Sequence, residues 1–408
     1  MHLVRHRRLI DSRLVVLLVA SLLWLVADNL LEFVFPTYLE GAGKSYLEIG
    51  ALISLAALSG LVIDLPMGSL SDRASRKKLM VSGLVLLVVG GVMIFSFKAS
   101  IPLAIAFFVW GIAYQVWRVP RDACFASLTN RQRRAEFCGF DAEIKYLGQT
   151  IGPALGGFVL MYLGFSGIVG VYGALVAAAA LVLLLFMKET NHRPLFGAVS
   201  ASARVKALAA ELKELRRLGL FGAFLLYFSL LFAAWEAVLW TLEPLLYGPD
   251  VLNIPPHLGG LLLAFFSLPG IFLAYPAGKI ADKFGKRNAL LLGLAITGAS
   301  IILFSVSNDL LIVFASALFF SAGWVFSLPA LNGLIIDLAY RRRKGEIAGI
   351  WDFFTDAGFV AGPVVGGAVA EFWGIRQTFL AAGIVFLASA ALVLAAGKSG
   401  RGSGKTIL

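Results

Sequence analysis

Carboxylic acids lie inside two of the most apolar stretches of this 408-residue chain. In WLVADNLLEFVFP, Asp28 and Glu32 are four residues apart, and in FAAWEAVLWTLEP, Glu236 and Glu243 are seven residues apart. Residues at these spacings share one face of a helix. Asp28 and Glu236 each precede a proline by eight residues, which indicates that they are equivalent positions in two related segments.

Acids in such surroundings can carry protons. An ionised carboxylate at the centre of a membrane helix costs at least about 2.5 to 3.5 kcal/mol, so it must face the protein interior, pair with a cation or be protonated. Loss of water and a neighbouring like charge both favour the protonated form. We therefore predict that Asp28, Glu32 and Glu236 bind and release a coupling proton. The alternative is that they bind a cationic substrate or pair with arginine.

A second group of charged residues lies in WGIAYQVWRVPRDACF. One helical face of this stretch is aromatic and cationic, and it comprises Trp110, Tyr114, Trp117, Arg118 and Arg121. Two arginines in an apolar span could hold an organic anion by bidentate hydrogen bonds, or they could pair with acids as part of a gate. The acids available for such pairing are Asp72, Asp122, Asp141 and Glu143. We predict gating for Arg121, and both roles stay open for Arg118.

Aromatic residues beside these charges are predicted to line a substrate cavity. The predicted cavity residues are Tyr114, Trp117, Arg118, Trp235, Trp240 and Glu243. A cavity of aromatic faces and acids suits amphipathic cations, because a cation is attracted to the face of an aromatic ring. A cavity dominated by Arg118 and Arg121 suits organic anions instead.

The elements that position these residues are membrane-spanning helices. Hydrophobic residues make up 59% of the chain and charged residues 14%, whereas about a quarter of the residues in a soluble domain are charged. Twelve apolar runs, from 14–37 to 376–396, are long enough to cross the hydrocarbon core as helices. The sequence therefore predicts an all-α integral membrane protein with twelve transmembrane helices.

The net charge of +11 does not indicate nucleic-acid binding. Most Lys and Arg residues fall in the loops that share a side with both termini, which is the pattern of cytoplasmic loops. We expect a multi-pass protein of the inner (cytoplasmic) membrane with both termini in the cytoplasm. Two isolated cysteines, Cys124 and Cys138, predict neither a disulfide framework nor a metal site. No nucleophile arrangement or nucleotide-binding Gly-x-x-x-x-Gly-Lys motif is present, so we predict neither an enzyme, nor a cofactor, nor an ATP-driven pump.

The chain contains one internal repeat with an offset of 210 residues. The stretch GSLSDRASRKK returns as GKIADKFGKR, and GFDAEIKYLGQTIGPALGG returns as GIWDFFTDAGFVAGPVVGG with six matching Gly and Pro positions. Six helices per copy give two parallel, pseudo-symmetric bundles. The predicted units are an N-terminal bundle (1–187), a cytoplasmic linker with an amphipathic helix (188–217), a C-terminal bundle (218–396) and a cytoplasmic tail (397–408).

These features resemble those of major facilitator superfamily (MFS) transporters. The loop signature of that family, Gly-x-Leu-Ala-Asp-Arg-x-Gly-Arg-Lys, is similar to two sets of residues, namely Gly68, Leu70, Asp72, Arg73, Arg76 and Lys77, and Gly278, Asp282, Lys283, Gly285, Lys286 and Arg287. Ser75 stands where the family has its second Gly. The resemblance implies that Gly68 lets helices 2 and 11 approach closely. It also implies that Asp72 latches the outward-open state by meeting the N-terminus of helix 11 and an arginine of helix 4.

A second family signature lies in helix 5. This signature is Gly-x-x-x-Gly-Pro-x-x-Gly-Gly, and in the family it is associated with exporters that work by antiport. It is matched by Gly148, Gly152, Pro153, Gly156 and Gly157. The same pattern recurs from Gly358 to Gly367, so helix packing alone could also account for it. The helix-4 signature of the family, Arg-x-x-Gln-Gly, is not met, because Phe107 occupies the position of the Arg.

Several further polar residues near the cytoplasmic helix ends are predicted to form a gate. Asp64 lies one turn before Gly68, and Asp352 and Asp356 could bind Lys145 or Arg118 across the halves or could simply be solvated at a helix start. The complete predicted gate comprises Asp64, Gly68, Asp72, Arg73, Arg76, Arg121, Asp122, Asp141, Lys145, Gly278, Asp282, Asp352 and Asp356.

The function that follows is secondary active transport by alternating access. We predict proton-coupled export of small amphipathic molecules, with transport of a small organic anion linked to protons as the alternative. A membrane sensor or scaffold that transports nothing is the remote alternative. The expected partners are a small-molecule substrate, protons and the lipid bilayer, without nucleic acid, and we expect a monomer.

Overall fold

The computed structural model describes residues 11–129, 134–188, 201–248, 251–341 and 344–403, and these residues are almost entirely helical. The helices are α1 (Ser12–Gly41), α2 (Tyr46–Arg73), α3 (Arg76–Ser96), α4 (Ser100–Leu128), α5 (Arg134–Phe186), α6 (Ala201–Leu242), α7 (Pro256–Phe265), α8 (Leu268–Phe284), α9 (Lys286–Val306), α10 (Leu310–Arg341), α11 (Lys344–Trp373) and α12 (Ile375–Ser403). A 3-10 helix, Glu243–Tyr247, directly continues α6.

The described part of the chain contains twelve helical segments that could cross a membrane. Eleven apolar stretches in the described part of the chain are long enough to do so. One of them, 256–274, runs from α7 into α8, and another, 137–186, holds two crossings because its backbone turns at Gly164. The φ of Gly164 is 64°, a left-handed conformation that glycine adopts without steric cost. An even number of crossings places the start of α1 and the end of α12 at one end of the bundle. We call it the terminal end, and the opposite end the far end.

The predicted eighth span is broken rather than continuous. Helix α7 ends at Phe265 and α8 begins at Leu268, with Pro269 in its first turn. Proline has no N–H to donate to the preceding turn, so the hydrogen-bond ladder loses a bond at this point and the helix is weakened there. The seventh span changes in a similar way, because Pro244 lies at the start of the 3-10 helix that ends it.

The two halves repeat the same packing. In the first half α1 packs along α5 and α3 packs along α4, and in the second half α6 packs along α11 and α9 packs along α10. The halves meet where α2 faces α11 and where α5 faces α7 and α8. Residues 189–200, the side chains of 201–218 and residues 404–408 lie outside the description, so the predicted amphipathic linker and much of the tail fall there.

Candidate functional site

A cavity of about 460 Å³ lies between the two halves, and α1, α2, α4, α5, α6 and α11 form its walls. It is open towards the terminal end, where Lys145 and Asp122 line it with side chains that are 60% and 52% exposed. At its opposite limit the lining includes Phe35, Trp240 and Pro363, beyond which the halves are in contact. The cavity is therefore accessible from one end of the membrane.

The far end is closed by direct contact between the halves. A Cβ atom at Gly50 would overlap the carbonyl of Pro363, and one at Gly157 would overlap the carbonyl of Pro256. The backbone N–H of Tyr46 also donates to Oε2 of Glu371 at 2.9 Å, which joins α2 to α11. Because side-chain atoms would not fit at these crossing points, glycine is what allows the helices to seal this end.

The terminal end has the opposite geometry. A Cβ atom at Gly68 or Gly278 would meet no atom of the described residues within 4 Å. The close approach at Gly68 that the family signature implied is thus absent from this conformation, as the opening at this end requires. Asp72 instead accepts from Nη2 of Arg76 at 3.5 Å, within its own half.

Three predicted proton carriers meet in the cavity. Asp28 and Glu32 from α1 and Glu236 from α6 all line it. Asp28 is only 5% exposed, and within the described residues its Oδ1 accepts no hydrogen bond and no Lys or Arg pairs with it. Gln149 and Lys145 from α5 lie beside Glu236. The structure therefore brings together acids that lie more than 200 positions apart in the sequence.

An aromatic cluster lines the cavity together with Asp28. The Trp24 ring lies 5.5 Å from the Tyr114 ring and 5.6 Å from the Trp117 ring, and Trp110 lies 6.2 Å from Tyr114, all measured between centroids. The indole N–H groups of these three tryptophans have no acceptor among the described residues. Trp24 was missing from the predicted cavity. Its position four residues before Asp28, on the same helical face, is the signal that could have identified it.

Arg118 is paired with an acid on the cavity wall. Its Nη2 donates to both carboxylate oxygens of Asp64, at 3.2 and 3.1 Å, and its Nε donates to Oε1 of Gln115 at 2.7 Å. The guanidinium also lies 5.9 Å from the centroid of the Tyr114 ring. Asp356 of α11, from the other half, lines the same cavity.

Arg121 is buried at the junction of three helices. It donates to Oδ1 of Asp122 at 2.9 Å, to both carboxylate oxygens of Asp141 and to Oγ of Ser21 at 3.0 Å. Lys145 adds a weaker contact, 3.9 Å from Oδ2 of Asp141. All these partners belong to the N-terminal half. The arginine therefore joins α4 to α1 and α5 in this conformation.

Two predicted cavity residues do not line the cavity. Trp235 packs its ring against Phe379 and Phe386 of α12, at 5.2 and 6.1 Å between centroids. Glu243 is completely buried in the 3-10 helix. The cavity-facing positions of α6 are Glu236, Ala237, Trp240 and Thr241. Residue 235 is rotated about 100° from residue 236, so it points into the C-terminal half instead.

The doubled loop motif fastens helix ends inside each half. Arg76 donates to the carbonyl of Ala123 at 3.3 Å, and Lys286 donates to that of Gly333 at 3.2 Å. Likewise Lys77 donates to the carbonyl of Leu184 at 2.9 Å. Arg287 donates to the carbonyls of Val393 and Leu394. Arg73 and Asp282 are exposed, and so is Asp352 near the start of α11. The repeat offset of 210 thus relates contacts as well as residues.

The helix-5 motif is a packing surface. Gly148, Gly152 and Gly156 each face the backbone or side chains of α1, and Gly157 faces α7. Their counterparts in α11, Gly358, Gly362 and Gly366, face α6 in the same way, and Gly367 faces Tyr46. Both copies bring a cavity helix close to its neighbour. Pro153 lies within α5 in this segment, and its carbonyl faces Gly260 of α7.

Comparison with known families gives the same architecture. The family model described as Major Facilitator Superfamily matches residues 16–249 and again residues 236–405. The chain belongs to the Major Facilitator Superfamily. The double match reproduces the two halves, and it establishes this MFS protein as a membrane transporter rather than an enzyme.

Its relatives include drug efflux proteins. A tetracycline resistance protein, class G, of Vibrio anguillarum is 28% identical over 327 residues, which cover 77% of this chain and 78% of the relative. A homolog of the multi-drug resistance efflux pump PmrA from Lactococcus lactis is 24% identical over 357 residues, 85% of each chain.

Solved structures share the fold of this MFS transporter. The nucleoside transporter NupG matches with a TM-score of 0.73 at 16% identity, covering 94% of this chain and 99% of NupG. A bacterial homolog of the human lysosomal transporter Spinster, in an inward-facing and unoccupied conformation, also matches with a TM-score of 0.73 at 16% identity, covering 93% and 95%. These two likenesses concern the fold alone.

Proposed function

We propose that this MFS transporter exports small amphipathic molecules in exchange for protons, by alternating access and as a monomer. The observation that carries the proposal is the meeting of Asp28, Glu32 and Glu236 in one cavity between the halves. Three acids share this space, and no Lys or Arg of the described residues pairs with Asp28. A carboxyl group so placed is stable as a neutral acid and can exchange its proton when the cavity is wet.

The aromatic walls support an amphipathic substrate. Trp24, Trp110, Tyr114 and Trp240 offer apolar surface, and their ring faces attract cations. Asp28 beside this cluster supplies the counter-charge when it is ionised. A substrate with an aromatic or aliphatic body and a positive charge would therefore compete with the proton for this acid. The efflux and resistance proteins among the relatives are in line with export.

The arginines argue against an anionic substrate. Arg118 is neutralised by Asp64, and Arg121 by Asp122 and Asp141. An anion would have to displace these carboxylates before it could bind, and each displaced acid would be left without its partner. Because both arginines are paired within the protein, a cationic substrate is favoured over an anionic one.

We further propose that the protein lies in the inner (cytoplasmic) membrane and that its terminal end faces the cytoplasm. The reason is that the basic loops lie at that end. The structure then corresponds to an inward-open state. Closure would bring α2 towards α11 at Gly68, where Asp72 would act as the family latch. Arg118 and Asp64 would approach Asp356 from the other half and complete the gate.

The test is transport by the purified protein in liposomes that contain a pH-sensitive dye. An imposed gradient of tetraphenylphosphonium, a lipophilic cation, should drive protons in the opposite direction. Asp28→Asn and Glu236→Gln should abolish this movement, because neither amide can carry a proton. Glu48→Gln, which removes an acid whose side chain is 46% exposed at the far end, should transport normally.

Two outcomes would overturn the proposal. Proton movement that persists in the Asp28→Asn, Glu32→Gln and Glu236→Gln triple variant would remove the acids from the mechanism. Proton movement driven by a benzoate gradient and lost in Arg118→Ala, with no response to the cation, would establish the organic-anion transporter instead.

A further inference from the structure

Glu243 is a completely buried acid that does not line the transport cavity. Its exposure is 0%, and among the described residues no donor reaches either carboxylate oxygen. It also forms no ion pair with any Lys, Arg or His of the described chain. An ionised carboxylate without partners is not stable in such a place, whereas a neutral carboxylic acid is.

The position of Glu243 along its helix connects it to the cavity. The cavity-facing stripe of α6 runs through Glu236, Ala237, Trp240 and Thr241. With 3.6 residues per turn, the next positions on this stripe are 243 and 244. Glu243 therefore lies two turns beyond Glu236, just past the point where the cavity ends.

The surroundings of Glu243 belong to the seal between the halves. Its 3-10 helix packs against α1 of the N-terminal half as well as against α6, α7 and α12. Four residues on, the ring of Tyr247 lies 6.1 Å from that of Phe33 of α1 and covers Gly259 of α7. Separation of the halves at the far end would pull this segment away from α1 and expose it to water.

Other ionisable groups occur on the elements that surround this segment. They include Arg13, Asp28, Glu32, Tyr38 and Glu40 on α1, Tyr227 and Glu236 on α6, Tyr247 in the 3-10 helix, His257 on α7 and Arg376 on α12. None of them forms a hydrogen bond or an ion pair with Glu243 in the described structure. Arg376 instead donates to Asn308 and to the carbonyls of Val251, Ser305 and Ser307.

We propose that Glu243 is a second proton-binding site, outside the substrate cavity, which must be protonated before the far end can close. The proposal rests on the alternating access put forward above. In the far-end-open state Glu243 meets water and releases its proton, and its negative charge then opposes the return of α1. Uptake of a proton from the far side removes this charge and permits the seal. Closure at this end is thereby favoured by low pH.

The test measures the far-end distance in lipid nanodiscs without substrate. Spin labels are attached at Lys98→Cys in the first half and Trp373→Cys in the second, both exposed at the far end, after Cys124→Ala and Cys138→Ser remove the native thiols. In the otherwise unmodified protein the short-distance population should rise as the pH is lowered. In Glu243→Gln it should be high at every pH, with loss of the response.

Two further variants make the result specific. Glu243→Asp keeps a titratable group and should keep a pH response. Glu48→Gln removes an exposed acid at the same end and should leave the response unchanged. Infrared difference spectroscopy supplies a direct readout, since the band of a protonated carboxyl group in the far-end-closed state should be lost in Glu243→Gln.

Each result decides the proposal. An unmodified protein whose distance does not depend on pH, or a Glu243→Gln protein with the unmodified pH response, would overturn it. The measurement uses neither a substrate nor a gradient. Failure of proton-driven transport with an intact Glu243 response would therefore refute only the proposed function, and intact transport with no Glu243 effect would refute only this site.

Discussion

Arg118 of α4 donates from one nitrogen to both carboxylate oxygens of Asp64 on α2, at 3.2 and 3.1 Å. The pair is partly exposed, with 37% of the Arg118 side chain and 29% of the Asp64 side chain accessible on the cavity wall. An arginine in an apolar span is thus supplied with a counter-ion by a neighbouring helix of its own half. Its charge is balanced before any substrate enters.

The strength of this pair can be measured by a double-mutant cycle. We expect Asp64→Asn and Arg118→Gln to show a coupling of about 1 kcal/mol in the free energy of unfolding, because both side chains are partly solvated. Asp64→Asn should also increase binding of benzoate, since it frees the guanidinium. Thermal unfolding in detergent and benzoate titration check the two effects. Zero coupling, together with unchanged benzoate binding, would show that the ion pair is of no consequence.

Arg121 should matter far more for stability. Its side chain is 7% exposed and Asp141 is 13% exposed, so Arg121→Ala would leave a mostly buried carboxylate without its main partner. We expect a loss of about 3 to 5 kcal/mol in the free energy of unfolding. The matched control is Lys145→Ala, which removes a 60% exposed cation 3.9 Å from the same acid and should cost about 1 kcal/mol or less. Equal effects of the two substitutions would contradict the assignment.

The far-end seal depends on a missing side chain at Gly157. A Cβ atom there would overlap the carbonyl of Pro256 in the other half, so Gly157→Ala should shift the spin-label pair at positions 98 and 373 to longer distances. Gly170→Ala, beyond the turn at Gly164 in the next span of α5, is the control, because a Cβ at Gly170 meets no described atom within 4 Å. It should leave the distance unchanged and stabilise the helix by up to about 1 kcal/mol. A Gly157→Ala protein that stays closed would refute this role.

The basic residues of the repeated loop should stabilise both halves alike. Lys77 donates to the carbonyl of Leu184 near the end of α5, and Arg287 donates to the carbonyls of Val393 and Leu394 inside α12. These charge-assisted hydrogen bonds hold each loop against the last helix of its half, so we expect Lys77→Ala and Arg287→Ala each to cost about 1 kcal/mol in unfolding free energy. Lys78→Ala, at the exposed neighbouring position, should change it by about 0.5 kcal/mol or less. Thermal unfolding of the three variants measures these differences. Identical unfolding curves for all three would contradict the prediction.

Asp11 caps the N-terminus of α1, and the stability that this cap contributes depends on pH. Its Oδ1 accepts from the backbone N–H of Arg13 at 2.9 Å, and hydrogen bonds from the Arg13 side chain hold the pKa of Asp11 below its ordinary value. A lowered pKa contributes stability that is present above the ordinary pKa and is lost as the pH falls through the lowered one. Asp11→Ala should cost about 1 kcal/mol at neutral pH.

The control for this cap is Asp11→Asn. Asparagine still accepts the hydrogen bond but does not titrate, so the variant should retain most of the neutral-pH stability and lose the acid-dependent part. Unfolding curves recorded from neutral to acidic pH separate the two contributions. Acid sensitivity that is unchanged in Asp11→Asn would assign it to another group.

Much of the fold follows directly from the sequence. The twelve crossings were predictable because a backbone in lipid must satisfy its hydrogen bonds internally, which leaves long apolar helices as the available solution. The two halves were predictable from the 210-residue offset, and the family model matches each half. The breaks at Pro244 and Pro269 have a visible cause in the sequence, although their effect on helix continuity depends on the packing around them.

The cavity was only partly predictable. Helical spacing placed Asp28 with Glu32, but spacing defines a face and not the direction in which that face points. Trp235, one residue before Glu236, points into the C-terminal half, and Glu243 lies beyond the cavity although it shares a stripe with Glu236. Only the packing of helices from both halves decides which residues meet.

The sequence by itself thus determined that the protein spans the membrane and contains an internal repeat. It also identified the charged residues within the spans, which must face the protein interior because they are unstable in contact with lipid. The tertiary structure decided which acids share one cavity, which acids neutralise Arg118 and Arg121, and which end of the molecule is open. The physical reason is that hydrophobicity and backbone hydrogen bonding act along each helix. Pairing of charges and sealing of the halves depend instead on contacts between residues far apart in the chain, as at Gly157 and Pro256.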